Sequence, residues 1–178
     1  MSETPERLFT ITKSRTSATL AVPGFPALAP AASWTAKTAP AAAAQMAEDL
    51  ILWAGLAYAE ALPRSAAALM REIELLKGLV AAPGGPIPPG ASIERRNGAW
   101  RAKVRGPDGT IHVEGAPGFT AASARGAIAG AALERALPLL GVRVGHLRRA
   151  QLAWLSGVLR WATARLRDAI LRECRRRA

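Results

Sequence analysis

The sequence predicts an α+β protein: two modules that look like copies of one another, each a small antiparallel sheet packed on helices, ending in a long amphipathic helix. Three observations predict it. Trp100 to Arg105 alternate apolar and polar side chains just after an Asn97-Gly98 pair, the period and the turn of a β-hairpin. Ala-rich stretches with three- and four-residue apolar spacing follow in both halves, as helices require. Pro83-Gly84-Gly85-Pro86-Ile87-Pro88-Pro89-Gly90 can neither continue a helix nor join a sheet interior. It therefore reads as a linker (83–90) between a module at 1–82 and a module at 91–178.

Taken in order, strands are expected near Leu8–Lys13 and Ala18–Val22, followed by a proline-rich passage. A helix from about Ala36 to Ala61 carries Pro40 in its first turn, where the missing N–H costs nothing, and a helix from about Arg64 to Val80 follows. After the linker come strands Ile93–Arg96 and Ala99–Arg105, the turn Gly106-Pro107-Asp108-Gly109 and a strand Thr110–Glu114. Thr120 is placed to N-cap the next helix, with Phe119 stapling its first turn; that helix ends near Leu137, before Pro138. The last helix spans Leu147 to about Arg175, with apolar residues at Leu152, Leu155, Leu159, Ala162, Leu166 and Ile170. Ser33-Trp34-Thr35-Ala36 aligns with Gly118-Phe119-Thr120-Ala121, and Leu62-Pro63-Arg64 with Leu147-Arg148-Arg149, at an offset of 85. Ile11, Leu20 and Val22 meet Ile93, Ala102 and Val104 at an offset of 82. A duplication explains these matches, and so does a shared Ala-rich composition.

The chain of 178 residues has 24 Lys and Arg against 13 Asp and Glu, a formal net charge of +11. Residues 1–88 are balanced, with seven of each sign, so the whole excess lies in the second half. Such a surface attracts polyanions; nucleic acid is the commonest, and anionic membranes and acidic protein surfaces are the others. Cys174 is the single cysteine, which excludes an intrachain disulfide. The scarcity of Asn and Gln fits a thermophilic source or a GC-rich genome. No secretory pattern is visible, and the apolar stretch Asp49–Leu62 is too short to span a bilayer. A soluble cytoplasmic protein is expected, with a membrane partner disfavoured.

Side chains alternate faces along a strand. Trp100, Ala102 and Val104 join Ile111 and Val113 on one face; Arg101, Lys103 and Arg105 join His112 on the other, with Arg95 and Arg96 extending the charge near the turn. Cations about 7 Å apart on one strand can follow a phosphate backbone, and Arg can read guanine edges bidentately. An ordinary solvated sheet face is the bland alternative, although only Glu94 and Glu114 intersperse it. The last helix adds Arg148, Arg149, Arg160, Arg165, Arg167, Arg172, Arg175, Arg176 and Arg177 against Asp168 and Glu173. The terminal arginines suit the helix dipole. Trp154 and Trp161 share a face and read as core or subunit interface. The candidate nucleic-acid contacts are therefore Arg95, Arg96, Arg101, Lys103, Arg105, His112, Arg148, Arg149, Arg160 and Arg167.

The run Arg96-Asn97-Gly98-Ala99-Trp100-Arg101-Ala102-Lys103-Val104-Arg105, then Asp108-Gly109, Gly118-Phe119-Thr120 and Ala124 with its Ala-rich helix, resembles the arm-type DNA-binding domain of phage-integrase tyrosine recombinases, which is similar to plant AP2 domains. The resemblance covers residues 92–137. It implies a three-stranded sheet on one helix, laid in the DNA major groove. It implies binding without strand cleavage, because no recombinase catalytic domain follows and Tyr58 is the sole tyrosine.

No catalytic constellation emerges. His112 and His146 are the only histidines, neither C-x-x-C nor H-x-x-x-H occurs, Gly84-Gly85 lacks a Walker A ending, and the acids of the basic half form no cluster for two-metal chemistry. The expectation is a non-enzymatic nucleic-acid-binding protein without cofactor or metal, with duplex DNA favoured over RNA by the resemblance. Residues 1–82, where Ser17, Thr19 and Ala21 replace the cationic row, are expected to make homodimer or protein contacts. A structural subunit of a viral or ribonucleoprotein assembly, or a basic amphipathic protein on a membrane surface, are the competing classes.

Overall fold

The computed structural model describes residues 8–29, 32–60, 65–82, 84–114 and 120–176. The element order runs β1 (Thr10–Lys13), β2 (Ala18–Ala21), β3 (Ser33–Ala36), α1 (Ala39–Glu60) and α2 (Ala66–Val80). It then runs β4 (Ala91–Arg96), β5 (Ala99–Gly106), β6 (Gly109–Glu114), α3 (Ala121–Ala136), two 3₁₀ turns (Leu137–Gly141 and Val144–His146) and α4 (Arg149–Arg176). The protein is α+β, and three strands followed by two long helices occur twice. Both sheets are antiparallel meanders, ordered β1-β2-β3 and β4-β5-β6.

One expectation about the first half is corrected. The helix expected from about Ala36 starts at Ala39, and Ser33–Ala36 form a third strand, β3, with Trp34 opposite Leu20 of β2. The helix cap is Thr38, whose Oγ1 accepts from Ala41 N–H at 3.3 Å. Thr120 does the same for α3, accepting from Ser123 N–H at 3.1 Å. The two caps are separated by the offset of 82 seen in the strands, not 85. The offset of 85 comes from matching Trp34 to Phe119; by register Trp34, opposite Leu20, corresponds to Val113, opposite Ala102, because the β2–β3 connection is longer than the tight turn at Pro107-Asp108. Gly118, Phe119, residues 62–64, Pro83 and Arg177 lie outside the described residues, so the Phe119 staple does too.

The long β2–β3 connection is held by a buried charge. Glu72 of α2 is 4% exposed, and its carboxylate accepts from Ala27 N–H at 2.9 Å and Leu28 N–H at 2.6 Å. This satisfies backbone donors that burial would otherwise orphan. Trp34 donates its indole N–H to Asp49 of α1 at 2.6 Å and packs against Trp53.

The two halves do not keep separate cores. Leu155, Val158, Trp161, Leu166 and Ile170 of α4 join Phe9, Leu20, Phe25, Met46, Leu50, Ile73 and Leu76 in one continuous apolar cluster. A second, smaller cluster holds Ala102, Val104, Ala124, Ile128 and Ala132 between the β4–β6 sheet and α3. Helix α3 therefore packs on both sides: Ala124, Ile128 and Ala132 face the sheet, while Ala129, Leu133 and Ala136 enter the main core.

Residues 84–90 are tied down rather than left as a tether. Arg165 of α4 is 5% exposed. Its Nε donates to Val80 O at 3.3 Å, its Nη1 to Gly84 O at 3.0 Å and its Nη2 to Ala82 O. One planar fork thus satisfies carbonyls at and beyond the C-terminus of α2. Burial and then the nearby Arg172 lower the guanidinium pKa, Asp168 opposing them, and an arginine stays charged through such a shift. Trp161 Nε1 donates to Pro86 O at 2.8 Å. Gly85 sits at φ +150°, and a Cβ there would overlap the Arg165 guanidinium.

Arg165→Met is expected to destabilise the fold by about 2–3 kcal/mol, the cost of leaving buried carbonyls unpaired, read as a lower urea midpoint at unchanged slope. Gly85→Ala should lose more stability in the wild-type background than in Arg165→Ala, where the overlapping group is gone. A double-mutant cycle showing no coupling between these positions would contradict the clamp.

Candidate nucleic-acid interface

The Asn97-Gly98 turn that closes β4 and β5 has both residues at positive φ, 51° and 79°, as a two-residue hairpin turn of this type demands. It fixes a register in which Arg96 faces Ala99, Arg95 faces Trp100, Glu94 faces Arg101, Ile93 faces Ala102 and Ser92 faces Lys103. Across the other edge, Arg101 meets Glu114, Lys103 meets His112 and Arg105 meets Thr110. Ala102 and Val104 are buried against α3. The opposite face, which carries Arg96, Arg101, Lys103, Arg105 and His112, therefore points outward.

This register sorts the expected contacts. Arg96, Lys103, Arg105 and His112 are exposed on the outer face. Among the described residues the side chains of Arg96, Lys103 and Arg105 have no hydrogen-bond or ion-pair partner. Arg101 shares the face but is half-buried and engaged with neighbours, between the register positions of Glu94 and Glu114. Arg95 is the register partner of Trp100, which puts it on the inner face, exposed at the end of the sheet. Alternation alone forecast this, because Arg95 and Arg96 cannot share a face. A shallow depression of about 250 Å³ lies on the outer face, lined by Ser92, Glu94, Arg96, Arg101, Lys103 and His112.

The expected α4 cations divide in two. Arg148, just before the helix, pairs through Nη2 with Asp108 in the β5–β6 turn. That bond sets the cationic start of α4, with exposed Arg149, beside the turn end of the sheet. A contact spanning 40 residues has no local signal in the sequence. Arg160 and Arg167 lie elsewhere, lining a groove between α4 and α1. Arg167 also pairs with Asp168 at 3.2 Å. Arg165, read at first as part of the basic helix surface, is the buried clamp described above. Trp161 is a core residue; Trp154 packs partly into the same core, with its indole N–H buried and unpartnered.

No protein-family model matches the chain, and neither the curated proteins nor the solved structures offer a significant match. Among the described residues no group of His, Cys, Asp and Glu is placed to hold a metal ion, and no helix is long and apolar enough to cross a membrane.

Both partners of the Arg148–Asp108 pair are more than half exposed, so Asp108→Ala should change stability by less than about 1 kcal/mol. Hydrogen exchange at Gly109 and Thr110 should nevertheless speed up, since the turn loses its tie to α4. Unchanged protection there would show that the pair does not hold the turn.

Proposed function

We propose that the chain is a non-enzymatic nucleic-acid-binding protein that lays the outer face of the β4–β6 sheet on duplex DNA. The observation that carries this reading is the outer face itself: the side chains of Arg96, Lys103 and Arg105 are exposed and without partners, and the opposite face is packed on α3. Arg149, held nearby by the Arg148–Asp108 pair, would extend the contact beyond the sheet edge. Three strands span about 10 Å between the outer two, which suits a major groove about 12 Å wide. The preference for DNA over RNA rests on the resemblance of residues 92–137 to the arm-type domain. The deep, narrow major groove of duplex RNA does not admit such a sheet. The repeated order of three strands and two helices supports a duplication in which the first copy kept the fold and lost the charge. Its outer face carries Thr12, Thr19 and Thr35 in register, with the Thr19 and Thr35 hydroxyls 2.7 Å apart.

Fluorescence anisotropy across a salt series tests the reading. The Arg96→Ala/Lys103→Ala/Arg105→Ala variant should reduce the slope of log K against log salt by about 2–3, near 0.9 for each lost phosphate contact. Arg95→Ala, on the inner face, and Arg160→Ala/Arg167→Ala, in the groove, should leave the slope unchanged. A triple variant that binds like wild type would sink the sheet-face reading. Equal affinity for duplex DNA and duplex RNA would reduce it to backbone electrostatics.

A further inference from the structure

The groove between α1 and α4 is unused by the sheet-face reading. It measures about 700 Å³, within the range of built binding sites. Its floor is apolar, formed by Ile51 and Leu52 of α1, Leu155 and Leu159 of α4, and Leu140 of the 3₁₀ turn. Leu52 is 43% exposed, a large apolar side chain left facing water. The walls are charged and asymmetric. Arg160 and Arg167 stand on the α4 side and Glu48 on the α1 side. The Arg160 side chain has no hydrogen-bond or ion-pair partner among the described residues, and that of Arg167 pairs with its neighbour Asp168. The two arginines are two helical turns apart, about 10.5 Å along α4, and the stretch from Leu152 to Arg167 runs roughly 22 Å.

These dimensions and charges select one kind of occupant. A nucleic acid has no use for an apolar floor, and a membrane surface is flat where this site is concave. A second copy of the chain would bring its own two arginines to a rim that already carries two. We propose that the groove takes an amphipathic helix of a partner protein. Its apolar stripe would fill the floor, acids seven residues apart would meet Arg160 and Arg167, and a base on its other edge would meet Glu48. This is helix-in-groove recognition, with the rim charges setting orientation and partner choice.

The test uses the full chain and two synthetic helical peptides with the same Leu stripe. One carries Glu, the other Lys, at two edge positions seven apart. Anisotropy at physiological salt should show the Glu peptide binding at least about tenfold tighter, a modest coupling for two charge pairs. Arg160→Glu/Arg167→Glu should invert that preference. Leu52→Glu, at an exposed position that folding tolerates, should abolish binding of both peptides with an unchanged circular-dichroism spectrum. None of these variants should alter the salt slope for DNA, so failure here is distinguishable from failure of the sheet-face reading. The proposal is overturned by equal or absent binding of the two peptides, or by a preference that does not invert. It is equally overturned if wild-type self-association disappears with Leu52→Glu, which would make a second copy the occupant, or if oleate displaces the Glu peptide stoichiometrically, which would make the site one for a small amphiphile.

Discussion

A single buried guanidinium organises the junction of this molecule. Arg165 reaches from α4 to carbonyls at Val80, Ala82 and Gly84, so the end of α2, the Pro-Gly passage and the last helix are fixed by one side chain. Burying a charge is costly unless its hydrogen-bonding capacity is met. Three of its nitrogens are met here by carbonyls that would themselves be orphaned at a helix end. Glu72 of α2 solves the mirror problem, an anion receiving two backbone amides. Between them, the two buried charges of the described residues fix the irregular segments that the regular elements leave over.

The position of the candidate interface follows from a second constraint, the thinness of α3. A helix buried over two adjoining faces shows a broad rather than a narrow apolar pattern, and small side chains let both neighbours approach closely. Ala124, Ala129, Ala132 and Ala136 do this, with Ile128 and Leu133 as the larger contacts. The β4–β6 sheet is thereby carried on the outside of the helical core, with its charged face turned away from it.

Much of the fold was legible because its signals are local. The Asn97-Gly98 turn, the alternation along β5, Thr120 as cap and the apolar spacing of α4 each depend on residues within a few positions of one another. Strand β3 was not read, because Ser33–Ala36 is short and its evident likeness to Gly118–Ala121 suggested a helix start. Alternation also told which residues share the outer face, Arg96, Lys103, Arg105 and His112, and that Arg95 takes the inner one. What the sequence could not show are the long-range contacts. Helical spacing does put Arg165 in line with Val158, Trp161 and Ala169, a face that Arg160 and Arg167 avoid, but spacing does not say what would satisfy a buried guanidinium. Only the carbonyls contributed from residues 80–84, folded against it, make it a core residue. A proline-glycine run likewise signals the loss of regular structure, not whether the backbone is free or bound.

The shared core has a consequence for how the chain is made. The first sheet, α1 and α2 are complete in sequence by residue 80, yet their apolar surface is covered by α4, down to Ile170 and Cys174. A nascent chain emerging from its N-terminus would therefore hold that surface open to water until α4 had been synthesised. The early half is the one exposed to premature association, and its folding is timed by the arrival of the last helix.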